Sequence, residues 1–186
     1  MNSRYKYEIA DHFETEINEF IKGECISDVY MVEQSDLDYY GFPAGWSIEV
    51  ARIGSKGCLY IQIKYPNGMI NYTRNYYGLG ALCYAKQNNQ EFVICSTDYQ
   101  CITVINVTTG VRHTYADIEA VKNGFGFCPV EARWDDDNNR LFIVGCIWAF
   151  PDEQMVCELP DLNHPEEGLS NAEYYYEDFN SEGEDE

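Results

Sequence analysis

Residues 132–159 read ARWDDDNNRLFIVGCIWAFPDEQMVCEL, and the fold class is predicted mainly from this stretch. A short apolar segment leads into a polar turn at residues 135–139, and a near-continuous apolar run follows at 141–150. Residues 151–153 turn the chain again before the apolar segment at 155–157. Short apolar runs bounded by turn-forming residues are typical of antiparallel strands. The stretch therefore predicts a β-meander.

The same pattern of strand and turn occurs earlier in the chain. The polar turn at 87–90 and the strand at 92–95 align with the turn at 135–139 and the strand at 141–144. The repeat is roughly 50 residues long, which is in the range of propeller blades. A shorter version covers residues 46–77. The sequence predicts a mainly β fold of consecutive antiparallel meanders, either a partial-propeller-like open sheet or a sandwich, with one N-terminal helix.

Composition divides the chain into three segments. Residues 1–45 are predicted to hold the N-terminal helix, at residues 7–22 where apolar side chains recur at helical spacing, and an irregular lead-in. Residues 46–162 are predicted to form the β-meander domain. Residues 163–186 form an acidic, aromatic tail, and the chain has no Lys or Arg after Arg140. Runs of like charge in such a tail repel one another.

The charge balance restricts the partners of the protein. The chain has 32 acidic and 12 basic residues, a formal net charge of −20. Such a field repels nucleic acid and anionic membranes and attracts basic surfaces. We therefore expect no direct binding to nucleic acid or membrane, and a basic protein as partner, for example a nucleic-acid-binding protein or a toxin. A role in solubility alone explains the charge equally well.

The eight cysteines predict a reducing compartment. Most of them lie in apolar strand-like runs such as FVICST and IVGCIW, where a thiol behaves as a small apolar side chain. The first residues are charged throughout and have no pattern of a secretory signal. No run reaches the ~18 apolar residues of a membrane-spanning helix. We expect reduced thiols and a cytoplasmic protein.

Motifs for metals, cofactors and catalysis are weak. Residues 135–139 are acidic but lack the alternating ligands, central glycine and distal glutamate of a calcium loop. The chain has no C-x-x-C pair, and its three histidines are far apart in sequence. A nucleophilic Cys128 or Cys146 with His113 has no local signature to support it. We expect no metal, no cofactor and no catalytic residues.

Two segments resemble known proteins. Residues 102–110 (ITVINVTTG) resemble the third strand and following turn of a β-propeller blade. Residues 145–153 (GCIWAFPDE) are similar to the Gly-Cys-x-Trp-Ala-x-Pro-x-Glu segment of small uncharacterised bacterial and phage β-meander proteins. The resemblance covers residues 80–162 and implies propeller-like meander repeats but no activity. Two or three such units are too few to close a propeller ring, so an open arrangement is expected.

The charge and the fold together favour a protein-binding module. We expect an inhibitor or immunity-type antagonist that engages a basic surface of its partner, in one version by mimicking nucleic acid. Trp148 is a candidate for an aromatic anchor that is buried against the partner, although the apolar run around it favours a place in the core. The predicted contact residues lie in the acidic turn and the tail and are Asp135, Asp136, Asp137, Glu173, Tyr174, Tyr175, Tyr176, Glu177 and Asp178.

An alternative from a different functional class is a small hydrolase or ligand-binding domain whose site lies in the mouth of the curved sheet. Glu131 and the three aspartates at 135–137 would then be the candidates for acid and base. A concave pocket with converging polar groups would favour this alternative, and a broad acidic face without a pocket would favour protein binding.

Overall fold

The computed structural model describes residues 26–53, 59–75, 79–96, 100–115, 123, 126–147 and 150–164. The helix predicted at residues 7–22 and residues 165–186 of the acidic tail lie outside the described residues. The described elements are β1 (Ile26–Met31), α1 (Gln34–Tyr39), β2 (Ser47–Ile53), β3 (Leu59–Lys64), β4 (Ile70–Asn75), β5 (Cys83–Gln87), β6 (Gln90–Cys95), β7 (Ile102–Asn106), β8 (Arg112–Tyr115), β9 (Phe127–Asp135), β10 (Arg140–Ile147) and β11 (Phe150–Leu159).

The strands form three sheets, each built from consecutive strands. Sheet I has the order β1-β2-β3-β4, sheet II the order β5-β6-β7-β8, and sheet III the order β9-β10-β11. Every neighbouring pair is antiparallel. In the described part of the chain, no sheet joins its first strand to its last. The predicted fold class, mainly β with consecutive antiparallel meanders that stay open, is confirmed.

Turn residues with a left-handed backbone set the hairpins. Asn88 and Asn89 have φ of 51° and 61° and connect β5 to β6, whose last ladder pair is Gln87 with Gln90. Two central residues with positive φ match the right-handed twist of the strands, and asparagine accepts this conformation more readily than most residues. Gly68, with φ of 86°, is the residue with a left-handed backbone in the longer β3–β4 turn.

The sheets pack face to face, with sheet II in the middle. Alternate side chains of β6 point in opposite directions, so Val93 packs against sheet I and Ile94 against sheet III. Ile105 and Val104 of β7 divide between the same two faces. All five residues of β7 are buried, whereas β10 alternates between buried and half-buried positions. The middle of the molecule is therefore sheet II.

Buried Gln87 joins sheet II to sheet III. Its Nε2 donates to the carbonyl oxygens of Asn139 at 3.0 Å and Pro160 at 2.9 Å, and its Oε1 accepts from the backbone N of Leu162 at 2.8 Å. The side chain is 1% exposed, and burying an amide is costly unless its polar atoms are bonded. These bonds fix the β5–β6 hairpin against one end of sheet III, where the β9–β10 turn and the segment after β11 lie side by side.

The first sheet begins earlier in the chain than the predicted meander domain. Tyr30 and Met31 of β1 pair with Val50 and Glu49 of β2, so sheet I uses strands from both of the predicted segments 1–45 and 46–162. Between these strands lies α1, which buries only Leu37. The loop after this helix leads to the site described next.

Candidate functional site

A cleft of about 760 Å³ lies between the loop that follows α1, the β5–β6 hairpin and β9. Aromatic side chains and carboxylates make up most of its lining. The aromatic residues are Tyr39, Tyr40, Tyr84 and Trp134, the carboxylates are Glu91, Glu131 and Asp136, and the cations are Lys86 and Arg133. Three carboxylates and two cations give this lining a formal charge of −1.

The loop after α1 forms one wall. Tyr39 is the last residue of the helix, and Gly41, with φ of 81°, turns the chain back toward sheet II. The backbone N of Tyr84 donates to the carbonyl oxygen of Tyr40 at 2.9 Å, which holds the loop against β5. The rings of Tyr39 and Tyr40 meet edge to face with centroids 5.3 Å apart. Burial, and then the nearby Asp36 carboxylate, raise the pKa of Tyr40.

The edge strand β9 forms the opposite wall. Because β9 is hydrogen-bonded to a neighbour in sheet III on one side only, side chains of both its faces reach the cleft. Arg133 Nε donates to Glu131 Oε1 at 2.6 Å, and the hydroxyl of Tyr39 donates to the same oxygen at 3.3 Å. The hydrogen bond to Glu131 raises the pKa of Arg133. This pair is partly exposed and contributes little to stability, but it fixes where the carboxylate lies.

Two more carboxylates are held by aromatic donors. The hydroxyl of Tyr84 donates to Glu91 Oε1 at 2.7 Å, and Trp134 Nε1 donates to Asp136 Oδ1 at 2.5 Å. Burial, then the hydrogen bond and charge of Glu91, raise the pKa of Tyr84 well above its ordinary range. Each carboxylate of the cleft thus has one oxygen bound to an aromatic side chain of the same cleft. The arrangement presents pre-positioned acceptors beside aromatic surface.

The three predicted aspartates of the β9–β10 turn have different places. The carboxylate of Asp135 accepts from the backbone N of Asn138 at 3.1 Å and from its Nδ2 at 2.7 Å, so it builds the turn. These bonds lower the pKa of Asp135, the side-chain bond most strongly. Asp136 lines the cleft, and Asp137 is exposed at the tip of the turn.

The other predicted contact residues, Glu173, Tyr174, Tyr175, Tyr176, Glu177 and Asp178, lie outside the described residues, as does Trp148. Of the alternative acid and base candidates, Glu131 and Asp136 both line the cleft. Sequence reasoning missed five further residues of this site, namely Tyr39, Tyr40, Tyr84, Glu91 and Trp134. The acidic and aromatic composition of residues 34–40 was the one local signal.

The nucleophile hypothesis gains no geometric support. Cys128 and Cys146 are direct partners across β9 and β10, whereas His113 lies on β8, the edge strand of sheet II. Burial raises the pKa of Cys146, although a hydrogen bond with Cys128 opposes the shift. A nucleophilic thiol needs its pKa lowered.

Comparison with other proteins adds no assignment. No protein-family model, curated protein or solved structure matched the chain. Among the described residues, no group of three or more His, Cys, Asp or Glu side chains is arranged to hold a metal ion. None of the helices described here has the length and apolar character needed to cross a membrane.

Proposed function

We propose that the protein is an acidic, cytoplasmic protein-binding module that engages a basic surface of a partner as an inhibitor or immunity-type antagonist. The position of Asp136 is the observation that carries this proposal. This residue belongs both to the acidic β9–β10 turn and to the lining of the aromatic cleft. A basic surface that contacts the turn therefore also meets the cleft.

The negative charge of the protein and its aromatic cleft supply different parts of a binding mechanism. The net charge of −20 attracts a basic partner over a distance and speeds encounter. Aromatic side chains in a concave site are typical anchors that hold a complex once it has formed. Mimicry of nucleic acid is one form of this antagonism, since exposed carboxylates carry the same sign of charge as phosphates. Cys83, Cys95, Cys101, Cys128 and Cys146 are not in disulfides, which supports a reducing compartment.

A second candidate, a ligand-binding domain or small hydrolase, uses the same cleft, and the concave shape with several polar side chains in its lining is the observation that favours it. The volume of about 760 Å³ is within the range of small-molecule sites. Against a hydrolase, Glu131 is already bound by Arg133 and Tyr39 through one oxygen. Such a carboxylate suits a fixed acceptor better than a general acid that must gain and lose a proton in each cycle.

The test is to identify a partner and measure its binding. The immobilised protein is exposed to cell lysate at low and moderate salt, and the captured protein is purified for kinetics. We expect a partner with a basic surface whose affinity falls about tenfold for Asp136→Asn, in line with the loss of a charged contact. Asparagine keeps an acceptor oxygen for Trp134, so the local geometry is retained.

The matched control is Glu33→Gln. Glu33 is exposed, makes no side-chain cap bond to α1 and is not part of the cleft lining. Glu33→Gln changes the net charge by the same amount as Asp136→Asn. Because Glu33 lies outside the cleft lining, this variant should keep an affinity within about twofold of the wild type. A partner with an acidic surface, or equal losses in both variants, would contradict the proposal.

A further inference from the structure

We infer that the cleft seats a single arginine side chain of the partner, with its guanidinium among the carboxylates and aromatic rings. The inference rests on the proposed function and specifies the group that the basic partner inserts. Three properties of the cleft carry it: the unused oxygens of its carboxylates, its aromatic walls and the state of its own cations.

The acceptors have capacity left for a ligand. Glu91 and Glu131 each use Oε1, and Asp136 uses Oδ1, for the bonds from aromatic donors. Among the described residues, the second oxygen of each carboxylate has no hydrogen bond. A carboxylate accepts through both oxygens, and hydrogen bonds between charged groups are stronger than neutral ones. The cleft therefore offers oxygens that are already positioned and unused.

Aromatic rings lie around these oxygens. Tyr39, Tyr40, Tyr84 and Trp134 all line the cleft. A cation over an aromatic face gains electrostatic attraction, and tryptophan gives the strongest effect. Rings also exclude water, so the attraction between a bound cation and the carboxylates is screened less than on an open surface. The combination favours an organic cation over an anionic or neutral group.

The cations already in the cleft do not block this occupant. Arg133 is paired with Glu131 at 2.6 Å, which compensates its charge. The side chain of Lys86 is exposed and carries its charge on a flexible stem, so it can point to solvent. The remaining carboxylates, Glu91 and Asp136, have no ion pair among the described residues. The lining thus keeps a net preference for positive charge.

Arginine fits the spread of acceptors better than lysine. Glu91 belongs to β6, Glu131 to β9, and Asp136 follows β9 in the turn, so the acceptors come from separate places around the cleft. A guanidinium has five N–H donors in a plane and stacks on aromatic faces, whereas an ammonium is a compact, strongly hydrated charge with three donors. A planar group with several donors can bridge such acceptors at once.

The probe is N-acetyl-arginine amide, followed by the ¹H–¹⁵N signal of the Trp134 indole. Trp134→Phe assigns this signal, and the signal of Trp46, which is 4% exposed, reports an intact fold. We expect a saturable shift of the Trp134 signal with a Kd of about 1 mM, as expected for a single side chain. The uncharged isostere N-acetyl-citrulline amide should bind at least tenfold more weakly, and N-acetyl-lysine amide should lie between them.

Two variants localise the binding. Glu131→Gln and Asp136→Asn should each weaken the arginine probe about tenfold, while Glu33→Gln should leave it unchanged. No shift, or equal shifts with arginine and citrulline, would overturn the inference. If a captured basic partner still depended on Asp136, the proposed function would survive that result. If partner capture were also insensitive to Asp136, both would fail.

Discussion

Tyr84 shows how a single side chain serves both the core and the cleft. Its ring lies 5.3 Å from that of Trp46 and 5.8 Å from that of Phe42, while its hydroxyl donates to Glu91 at 2.7 Å. A tyrosine can bury its ring and keep a bonded polar end. The acceptor in the cleft is therefore held by a residue whose position the core determines.

Alkaline pH should destabilise the protein through Cys83, which lines the cleft and is 2% exposed. Burial raises the pKa of Cys83 from 9.0 to about 12. The native state then holds a proton that the unfolded state releases, so stability is unaffected below pH 9 and falls from pH 9 to 12. The slope for one such group is up to ~1.4 kcal/mol per pH unit.

Urea unfolding at pH 8, 9, 10 and 11 measures this loss. Burial also raises the pKa of Tyr84, which adds to the decline in the same direction. The variant Cys83→Ala removes one titrating group, so its free energy of unfolding should fall less steeply above pH 9. Parallel curves for the variant and the wild type would show that Cys83 does not titrate as the burial predicts.

Gly145 has a packing reason to be glycine. A Cβ atom at this position would collide with the carbonyl oxygen of Cys128 and the ring of Phe127 on the neighbouring strand. Gly145 is also the first residue of the GCIWAFPDE segment that carries the sequence resemblance. Close approach of β9 and β10 thus explains this residue without any catalytic role.

At the level of elements, burial distinguishes the strands of sheet II, the middle sheet, from those of sheet III. Val93 and Ile94 of β6 are 0% and 1% exposed although their side chains point to opposite faces. In β10, Ile143 is 1% exposed, but its neighbour Val144 is half-buried. The apolar run at residues 141–147 therefore forms the central strand of an outer sheet, with one face toward the core, in spite of its near-continuous apolar sequence.

Alanine substitutions test this layering. Ile94→Ala and Ile143→Ala should each cost about 2–5 kcal/mol, because each removes a buried side chain. The matched pair is Val93→Ala against Val144→Ala, the same change in two strands. We expect about 2 kcal/mol for Val93 and less than about 1 kcal/mol for Val144 in urea unfolding. Equal losses at the two valines would contradict a middle sheet that is buried on both faces.

The sequence predicted the hairpins well because their signals are local. The polar turn predicted at 87–90 depends on Asn88 and Asn89, which accept positive φ. Sequence reasoning missed α1, because a helix of six residues that buries only Leu37 has no apolar periodicity.

The cleft was missed for a different reason. Tyr39 and Glu131 are 92 residues apart, and their contact depends on how sheets I and III pack around sheet II.

For the whole molecule, shape and charge have separate origins. The three layered sheets place the cleft and the β9–β10 turn next to each other, while much of the charge lies elsewhere in the sequence. Nine of the 32 acidic residues belong to residues 165–186. Exposed charges interact over a Debye length of ~8 Å at physiological ionic strength. The nine acidic residues of 165–186 should therefore attract a basic partner that comes within about this distance of them.

The most direct test of the proposed function is to measure association and dissociation rates of the partner at two salt concentrations, for the intact protein and for a variant that lacks residues 165–186. All strands described here end before residue 165, so the sheets should persist in the variant. We predict that salt and truncation each slow association more than they speed dissociation, because distant charges steer encounter and buried contacts hold the complex. Rates that neither salt nor truncation changes would contradict the account and leave the charge with a role in solubility alone.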